Sequence, residues 1–216
     1  MSMCLTVAND LRSIVIEETM KTFRAGHNPP PAFFYCSRNP AEPTRSNPEA
    51  ILASLVRQLS SFQPGDPLLS PSVEFFKKKE AQGFASGPPR IGETRELIIE
   101  LVEHYPLTLI IIDAFDECDP EKKADLLEEL ETILRESSSL VKILISSRDD
   151  QDIIPHLKHY PNLEISSDRN GDDIACFVRE ETKKLIRKKK LLKYSQARKE
   201  MEELIVGEIV QGAAGM

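Results

Sequence analysis

Residues 107–117 read LTLIIIDAFDE, an aliphatic run that ends in three carboxylates. The six residues before Asp113 contain one polar side chain, Thr108, and show no alternation of apolar and polar positions. A strand of this kind is buried on both faces, as in a parallel sheet covered by helices. The segment therefore predicts an α/β fold with a central parallel strand at 107–113.

Helical and strand-like segments alternate along the rest of the chain, which is typical of a mostly parallel sheet flanked by helices. Short apolar runs bounded by turn-forming residues predict further strands at 32–36, 141–146 and 163–165. The strand at 141–146 is expected to be buried throughout. Amphipathic periodicity predicts helices at 11–23, 48–62, 73–82, 93–104, 120–136, 153–159, 172–190 and 196–210. Asn47 is the expected N-cap of the second helix. No strand is predicted before residue 11, so the sheet is expected to be incomplete at its N-terminal edge.

Length, composition and charge argue against a membrane-spanning protein, a secreted protein and a protein whose whole surface binds nucleic acid. The 216 residues, 40% hydrophobic and 29% charged, suit one domain or one domain with part of a second. The net charge of −7 argues against a protein that binds nucleic acid over its whole surface. No apolar run is long enough for a membrane span, and the N-terminus lacks the basic start of a signal peptide, so a cytoplasmic protein is expected.

The cysteines do not form a zinc motif. They are far apart in the sequence, and no CxxC pair or Cys/His cluster occurs: Cys4, Cys36, Cys118 and Cys176. Widely spaced thiols in a cytoplasmic protein are typically reduced and structural.

The carboxylates after the 107–113 strand are candidate site residues. Ligands of parallel α/β sheets bind at the carboxyl ends of the strands. Asp113 emerges there and can hold Mg²⁺ through water beside the phosphates of a nucleotide. Asp116 or Glu117 can orient or deprotonate an attacking water. The alternative is that these acids only stabilise the start of the helix near Pro120.

A candidate cation follows the next strand. The strand at 141–146 leads into Ser147 and Arg148, and an arginine at a strand tip can reach a terminal phosphate. The alternative is an exposed arginine that pairs with a nearby aspartate: Asp149, Asp150 or Asp152.

Three stretches of the sequence resemble the NACHT family of nucleotide-binding domains, which belongs to the P-loop NTPase class. The similarity is strongest to the fungal form described as the nephrocystin-3-like N-terminal domain. The stretches are PPPAFFYCSRNPAEPTRSNPEAILASLVRQLS at 29–60, LTLIIIDAFDECDPEKKADLLEELETIL at 107–134 and KILISSRDDQDI at 142–153. The closing GAAGM at 212–216 resembles the beginning of a further helix of that family.

This resemblance implies a three-layer P-loop fold that binds ATP or GTP with Mg²⁺. It implies that Asp113 is the Mg²⁺ carboxylate, that Asp116 and Glu117 are the acidic pair assisting hydrolysis, and that Arg148 is the sensor arginine. The family often has glycine where this chain has Ala114. The implied partners are effector and repeat domains of a longer protein, or homologous NACHT proteins. In fungi the expected role is non-self recognition or programmed cell death.

The chain departs from the family at the phosphate loop. When residues 11–16 are matched to the helix after the loop, the expected Gly-Lys-Ser or Gly-Lys-Thr falls on Val7-Ala8-Asn9. No glycine precedes Gly26 and no lysine precedes Lys21. Phosphates need the backbone N–H groups of a glycine-rich curl, the lysine charge and the hydroxyl on Mg²⁺. The loss predicts nucleotide binding that is weaker by roughly several kcal/mol.

The sequence thus predicts three segments: 1–10 is an atypical segment that replaces the phosphate loop, 11–168 is a NACHT-like nucleotidase core, and 169–216 is the truncated start of a helical subdomain. The main hypothesis is a module defective in nucleotide binding that acts through protein contacts. One alternative is an active ATP- or GTP-hydrolysing switch whose phosphate loop is missing from the gene model. A second is an unrelated metal-dependent hydrolase that uses the three carboxylates.

A basic tract lies near the C-terminal end, with apolar residues between its cations: Lys183, Lys184, Arg187, Lys188, Lys189, Lys190 and Lys193. Such a tract can contact anionic lipid or nucleic acid. The favoured interpretation is nevertheless a solvated helix face whose apolar residues pack inward.

Overall fold

The computed structural model describes residues 2–6, 11–24, 30–63, 65–83, 89–148, 150–163, 167–194 and 197–213. The chain forms two compact units, Met1–Glu164 and Ile165–Met216. The domain limits expected from the sequence, 1–10, 11–168 and 169–216, remain predictions.

The secondary structure of the first unit alternates between strands and helices. Its strands are β1 Ser2–Thr6, β2 Ala32–Tyr35, β3 Leu107–Asp113, β4 Leu140–Ser146 and β5 Asn162–Leu163. Its helices are α1 Leu11–Arg24, α2 Pro48–Leu59, α3 Ser70–Ala81, α4 Ile91–Val102, α5 Lys123–Glu136 and α6 Ile154–Leu157. The second unit contains α7 Ser167–Arg187 and α8 Arg198–Ala213.

The strands form one parallel sheet in the order β2-β3-β4-β1-β5. Helices flank this sheet, and α2, α4 and α5 supply many of the buried aliphatic side chains. The predicted α/β fold with a parallel sheet is therefore confirmed. Because all strands are parallel, their carboxyl ends meet at one edge of the sheet.

The burial of β3 agrees with its sequence. Ile110, Ile111 and Ile112 are all at most 4% exposed, so both faces of the strand are covered. The expectation that β4 is buried throughout is wrong at its start. Val141 and Ile143 are buried while Lys142 between them is exposed, because the first half of β4 alternates between core and solvent.

The structure differs from the sequence prediction at the N-terminal end. Residues Ser2–Thr6 form β1, although no strand was expected before residue 11. β1 lies between β4 and β5 and pairs with β4 over five residues, from Ser2 opposite Lys142 to Thr6 opposite Ser146. The segment is too short to stand out by composition, and its main-chain pairing with β4 accounts for the strand.

Most helix ends lie within a few residues of their predicted positions. Asn47 caps α2 as expected, since its side chain accepts hydrogen bonds from the backbone N–H groups of Glu49 and Ala50. Helix α5 begins three residues later than predicted, because a turn precedes it. Helix α8 runs to Ala213, so the expected start of a new helix at Gly212 is wrong. The rest of the predicted 163–165 strand, 164–165, lies outside the described residues.

No helix in the described part of the chain combines the length and apolarity needed to cross a membrane.

Candidate functional site

The first group at the carboxyl edge of the sheet is Asp113, the last residue of β3. Its side chain is buried, with 3% of the residue exposed. Ser146, at the end of β4, donates its hydroxyl hydrogen to Asp113 Oδ1. The same Ser146 oxygen accepts a hydrogen bond from the backbone N–H of Ala114, at 3.1 Å. A buried carboxylate is thereby held in one orientation by the neighbouring strand.

Ala114 turns the chain sharply after β3. Its φ of 54° and ψ of 47° lie in the left-handed region. A residue with a Cβ atom is strained there by roughly 1–2 kcal/mol, whereas glycine adopts this conformation readily. The NACHT resemblance implies glycine at this position, and the left-handed turn gives that preference a physical reason. The departure at Ala114 therefore has a conformational cost that its small side chain does not avoid.

A short 3-10 turn, Phe115–Glu117, follows. Phe115 is fully buried and anchors this turn in the core, while the carboxylates of Asp116 and Glu117 remain partly exposed. The turn thus presents two acids at the edge where β3 ends.

Arg148 and Arg38 form hydrogen bonds and ion pairs with Asp116 and Glu117. The backbone N–H of Arg148 donates to Asp116 Oδ1 at 3.2 Å, and its Nε lies 3.7 Å from Asp116 Oδ2. One Nη of Arg148 is 4.0 Å from Glu117 Oε1. The backbone N–H of Arg38 donates to Glu117 Oε2 at 3.1 Å, and its guanidinium donates to the Asp116 carbonyl at 2.6 Å.

The structure therefore brings Asp116, Glu117 and Arg148 into contact beside Asp113. The alternative pairing of Arg148 with Asp150 is not seen, since Asp150 pairs with Lys123. Of the other two aspartates considered, Asp149 lies outside the described residues. What these groups do chemically remains a prediction.

The helix-capping alternative for the acids is not seen either. Asp119 stabilises the turn before α5, because its Oδ1 accepts a hydrogen bond from the backbone N–H of Glu121 at 3.1 Å. Asp116 and Glu117 instead interact with the two arginines. Arg148 follows β4 and Arg38 follows β2. Asp116 and Glu117, which contact these two arginines, therefore belong to the carboxyl edge of the sheet.

Sequence reasoning missed Arg38. It follows β2, and β2 lies beside β3, with Tyr35 opposite Asp113. The sequence did contain a signal for Arg38, because a cation two or three residues after a strand of the same parallel sheet reaches the same edge.

The burial of Tyr35 and the negative charge of Asp113 raise the pKa of the Tyr35 hydroxyl.

An ion pair between the buried Lys123 and the partly buried Asp150 supports the segment that carries Arg148. Lys123 Nζ lies 2.5 Å from Asp150 Oδ2, and the lysine side chain is 4% exposed. Asp150 also accepts a hydrogen bond from the backbone N–H of Asp152, at 2.8 Å. Burial raises the pKa of Asp150, but the hydrogen bonds from Lys123 and Asp152 outweigh it, and the net shift of the pKa is downward.

The two thiols near this edge are not candidate nucleophiles. Cys36 and Cys118 are both buried. Burial raises the pKa of Cys118 to about 11. Burial, and then the neighbouring Cys118 and the carboxylates, raise the pKa of Cys36 still further. Both thiols are protonated at neutral pH, and the thiolate is the reactive form.

The link between β1 and α1 starts at this same edge. Thr6, the last residue of β1, lies opposite Ser146, the residue that bonds Asp113. Four residues, 7–10, then lead to Leu11, where α1 begins. They lie outside the described residues, and their sequence is Val-Ala-Asn-Asp. They include no glycine, no cation and no hydroxyl side chain.

The donor set for a metal at this edge is small. Within the described ranges, no group of three or more His, Cys, Asp or Glu side chains is arranged to hold a metal ion. Mg²⁺ in nucleotide sites usually takes one or two carboxylates and completes its shell with water and phosphates. Asp113 suits the carboxylate position, but a metal held there depends on a phosphate that is itself bound.

Comparisons with known proteins point to one family. A family model described as Nephrocystin 3, N-terminal, matches residues 6–148. A search of curated proteins found no similar sequence. A solved structure described as the crystal structure of a DNA replication initiation factor aligns at 15% identity and a TM-score of 0.34, covering 96% of this chain. This chain spans 60% of the length of that structure.

Proposed function

The chain belongs to the nephrocystin 3, N-terminal family, and on this premise we propose that it is a P-loop NTPase-like module that has the acidic side of a nucleotide site without the phosphate-binding side. In this proposal Asp113 corresponds to the Mg²⁺ carboxylate, Asp116 and Glu117 to the hydrolytic acids, and Arg148 to the phosphate sensor. The nucleotide is ATP or GTP, as the family resemblance implies.

The observation that carries the proposal is the position where β1 ends, together with the sequence of residues 7–10 that follow it. β1 ends at Thr6, directly opposite Ser146 and so beside the buried Asp113. In a P-loop protein this is where glycines and a lysine surround the phosphates. Here the link contributes one negative charge, that of Asp10. A triphosphate at this edge meets the carboxylates of β3 and of the turn after it.

The residues present do not complete a Mg²⁺-nucleotide site. Asp113 can supply one carboxylate, but residues 7–10 supply neither the hydroxyl that a P-loop places on Mg²⁺ nor the charge that it places on the outer phosphates. Arg148 is 69% exposed in its side chain and interacts with Asp116 and Glu117. Its charge is thus partly neutralised by acids of the same site.

Without nucleotide, the module acts through protein contacts. The resemblance to NACHT domains supports a place in a larger cytoplasmic signalling protein, where its partners are effector and repeat domains or other NACHT modules. In the fungal form this corresponds to non-self recognition or cell death. The module then acts as a protein-binding domain and not as a switch driven by nucleotide hydrolysis.

A second candidate function is an active ATP- or GTP-hydrolysing switch. It is favoured by the ordered acidic edge, in which Ser146 orients Asp113 and two arginines contact Asp116 and Glu117. The rate of ATP or GTP hydrolysis by the purified chain distinguishes this active switch from the module that does not hydrolyse nucleotide.

Phosphate release by the purified chain with Mg²⁺-ATP and Mg²⁺-GTP is expected to be the same for the natural chain and for Glu117→Gln. The reason is that a general base contributes only when the phosphates are held beside it. The outcome that contradicts the proposal is a natural rate that Glu117→Gln lowers by about 100-fold or more, which is the size of effect expected for a working general base.

A further inference from the structure

A basic surface of the second unit has no part in the proposed function. Seven exposed cations lie on the last turns of α7 and in the segment after it: Lys183, Lys184, Arg187, Lys188, Lys189, Lys190 and Lys193. We refer to these side chains as the basic patch. The chain has a net charge of −7, so removing these seven positive charges leaves −14. Positive charge is therefore concentrated in one short segment of an acidic chain.

Nearby acids pair with the first two cations of the patch, Lys183 and Lys184. Glu180 lies 3.5 Å from Lys183, and Glu181 lies 2.8 Å from Lys184. For the four consecutive cations 187–190, the described residues provide no ion-pair partner. Exposed pairs one turn apart contribute little in water. The centre of the basic patch is thus available to an external anion.

The patch is presented by a capped helix end. The backbone N–H groups of Lys190 and Leu191 both donate to the carbonyl of Leu185, at 3.0 and 3.3 Å, and Lys189 has a φ of 54°. Glycine is the residue usually found at this left-handed position after a helix. The helix dipole favours cations in the last turn but not in the residues beyond it. Helix stability therefore does not explain why Lys189 occupies the left-handed position that usually holds glycine, nor why further lysines follow it.

Apolar side chains next to the patch are also exposed. Leu185 is 39% exposed and Tyr194 is 87% exposed. The expected inward packing of the apolar residues in this tract is therefore wrong for Leu185. Charge together with exposed aliphatic and aromatic side chains is typical of a surface that rests on a lipid interface. Nucleic-acid recognition relies more on arginine, and this patch contains six lysines and one arginine.

From these observations we propose that the basic patch binds the surface of a membrane rich in anionic phospholipid, with Leu185 and Tyr194 entering the headgroup region. Three of the seven cations lie on α7 and four follow it, and a cluster of this size suits such a surface. This inference does not depend on the nucleotide site, because it concerns the second unit alone.

The test is co-sedimentation of the purified chain with vesicles that contain phosphatidylserine, at about 0.1 M NaCl. The natural chain is compared with Lys188→Glu/Lys190→Glu. The matched control is Lys77→Glu/Lys78→Glu, since these lysines are also exposed and the substitutions change the net charge equally. We expect the patch variant to lose at least about 10-fold in vesicle affinity, because each of the two lysines near an anionic membrane contributes roughly a factor of five. The control should bind like the natural chain.

Three results overturn the proposal. The first is no binding of the natural chain to phosphatidylserine vesicles. The second is an equal loss in the patch variant and in the Lys77/Lys78 control, which indicates a nonspecific effect of net charge. The third is binding to duplex DNA at the same salt without binding to vesicles, which assigns the patch to nucleic acid. We also expect neutral phosphatidylcholine vesicles to bind weakly and salt to release the chain from anionic ones.

Discussion

Replacing residues 7–10 with an eight-residue glycine-rich loop that ends in Gly-Lys-Thr should raise the affinity for Mg²⁺-ATP by about 100-fold or more. The loop would begin where β1 ends, at Thr6 opposite Ser146, and lead into α1 at Leu11. Its backbone N–H groups and its lysine would each add charge-assisted hydrogen bonds worth roughly 1.5–3 kcal/mol, and two such bonds suffice for this gain. The change also removes the negative charge of Asp10.

Two controls show whether the gain comes from the proposed site. The same loop with alanine in place of its lysine keeps the length and flexibility but should lose most of the gain. Asp113→Asn in the chain that carries the complete loop should also lose it, because the buried carboxylate then no longer supports Mg²⁺. Thermal unfolding of each variant establishes that the sheet is intact. A folded chain with the complete loop that binds no better than the natural one contradicts the assignment of this edge.

Lys123→Met should lower the free energy of unfolding by roughly 1–3 kcal/mol, because it removes a charge-assisted hydrogen bond to the partly buried carboxylate of Asp150. Lys123 begins α5 and is 4% exposed in its side chain, and a cation at a helix N-terminus is unfavourable unless it is paired. Its partner Asp150 follows Arg148 closely. The substitution therefore leaves Asp150 without its cation and loosens the segment that holds the acidic turn.

Urea denaturation measures this change, and Lys122→Met is the matched control. Lys122 is adjacent and exposed, so its replacement should change stability by less than about 0.5 kcal/mol. Equal effects of the two substitutions would show that the ion pair does not stabilise the fold.

The difference in unfolding free energy between the natural chain and Lys123→Met should depend on pH, because the pKa of Asp150 is lowered in the folded protein. A group whose pKa is depressed on folding contributes stability above its unfolded pKa, and loses it as the pH falls through the folded value. The ordinary pKa of this carboxyl is 3.8. The stability difference between the natural chain and Lys123→Met should thus be constant near neutral pH and shrink as the pH falls below 3.8.

The central strand and the meeting of the candidate site residues could be predicted from the sequence. Residues 107–113 have a pattern that fits only a strand buried on both faces, and parallel strands deliver their carboxyl ends to one edge. That topology rule places Arg148, which follows β4, at the same edge as Asp113, but it does not predict the contact of Arg148 with Asp116. It could have placed Arg38 as well, had the residues after β2 been considered together with those after β3 and β4.

Other features depend on long-range contacts that local sequence does not contain. β1 is a five-residue strand whose existence rests on pairing with β4, far away in the chain. Lys123 looks like an ordinary surface lysine, and its burial follows from the position of Asp150 across the fold. The left-handed conformation of Ala114 is set by the turn into the buried Phe115, and alanine gives no local sign of it.

The central claim is that the acidic edge of this sheet lacks the groups that grip phosphate, and nucleotide binding by the natural chain tests it directly. A fluorescent ATP analogue is titrated with the purified protein in the presence of Mg²⁺, and the same titration is run with Asp113→Asn. We expect no saturation for either protein up to about 1 mM, the upper end of ordinary nucleotide affinities for enzymes. Saturable, Mg²⁺-dependent binding in the micromolar range that Asp113→Asn abolishes would contradict the claim.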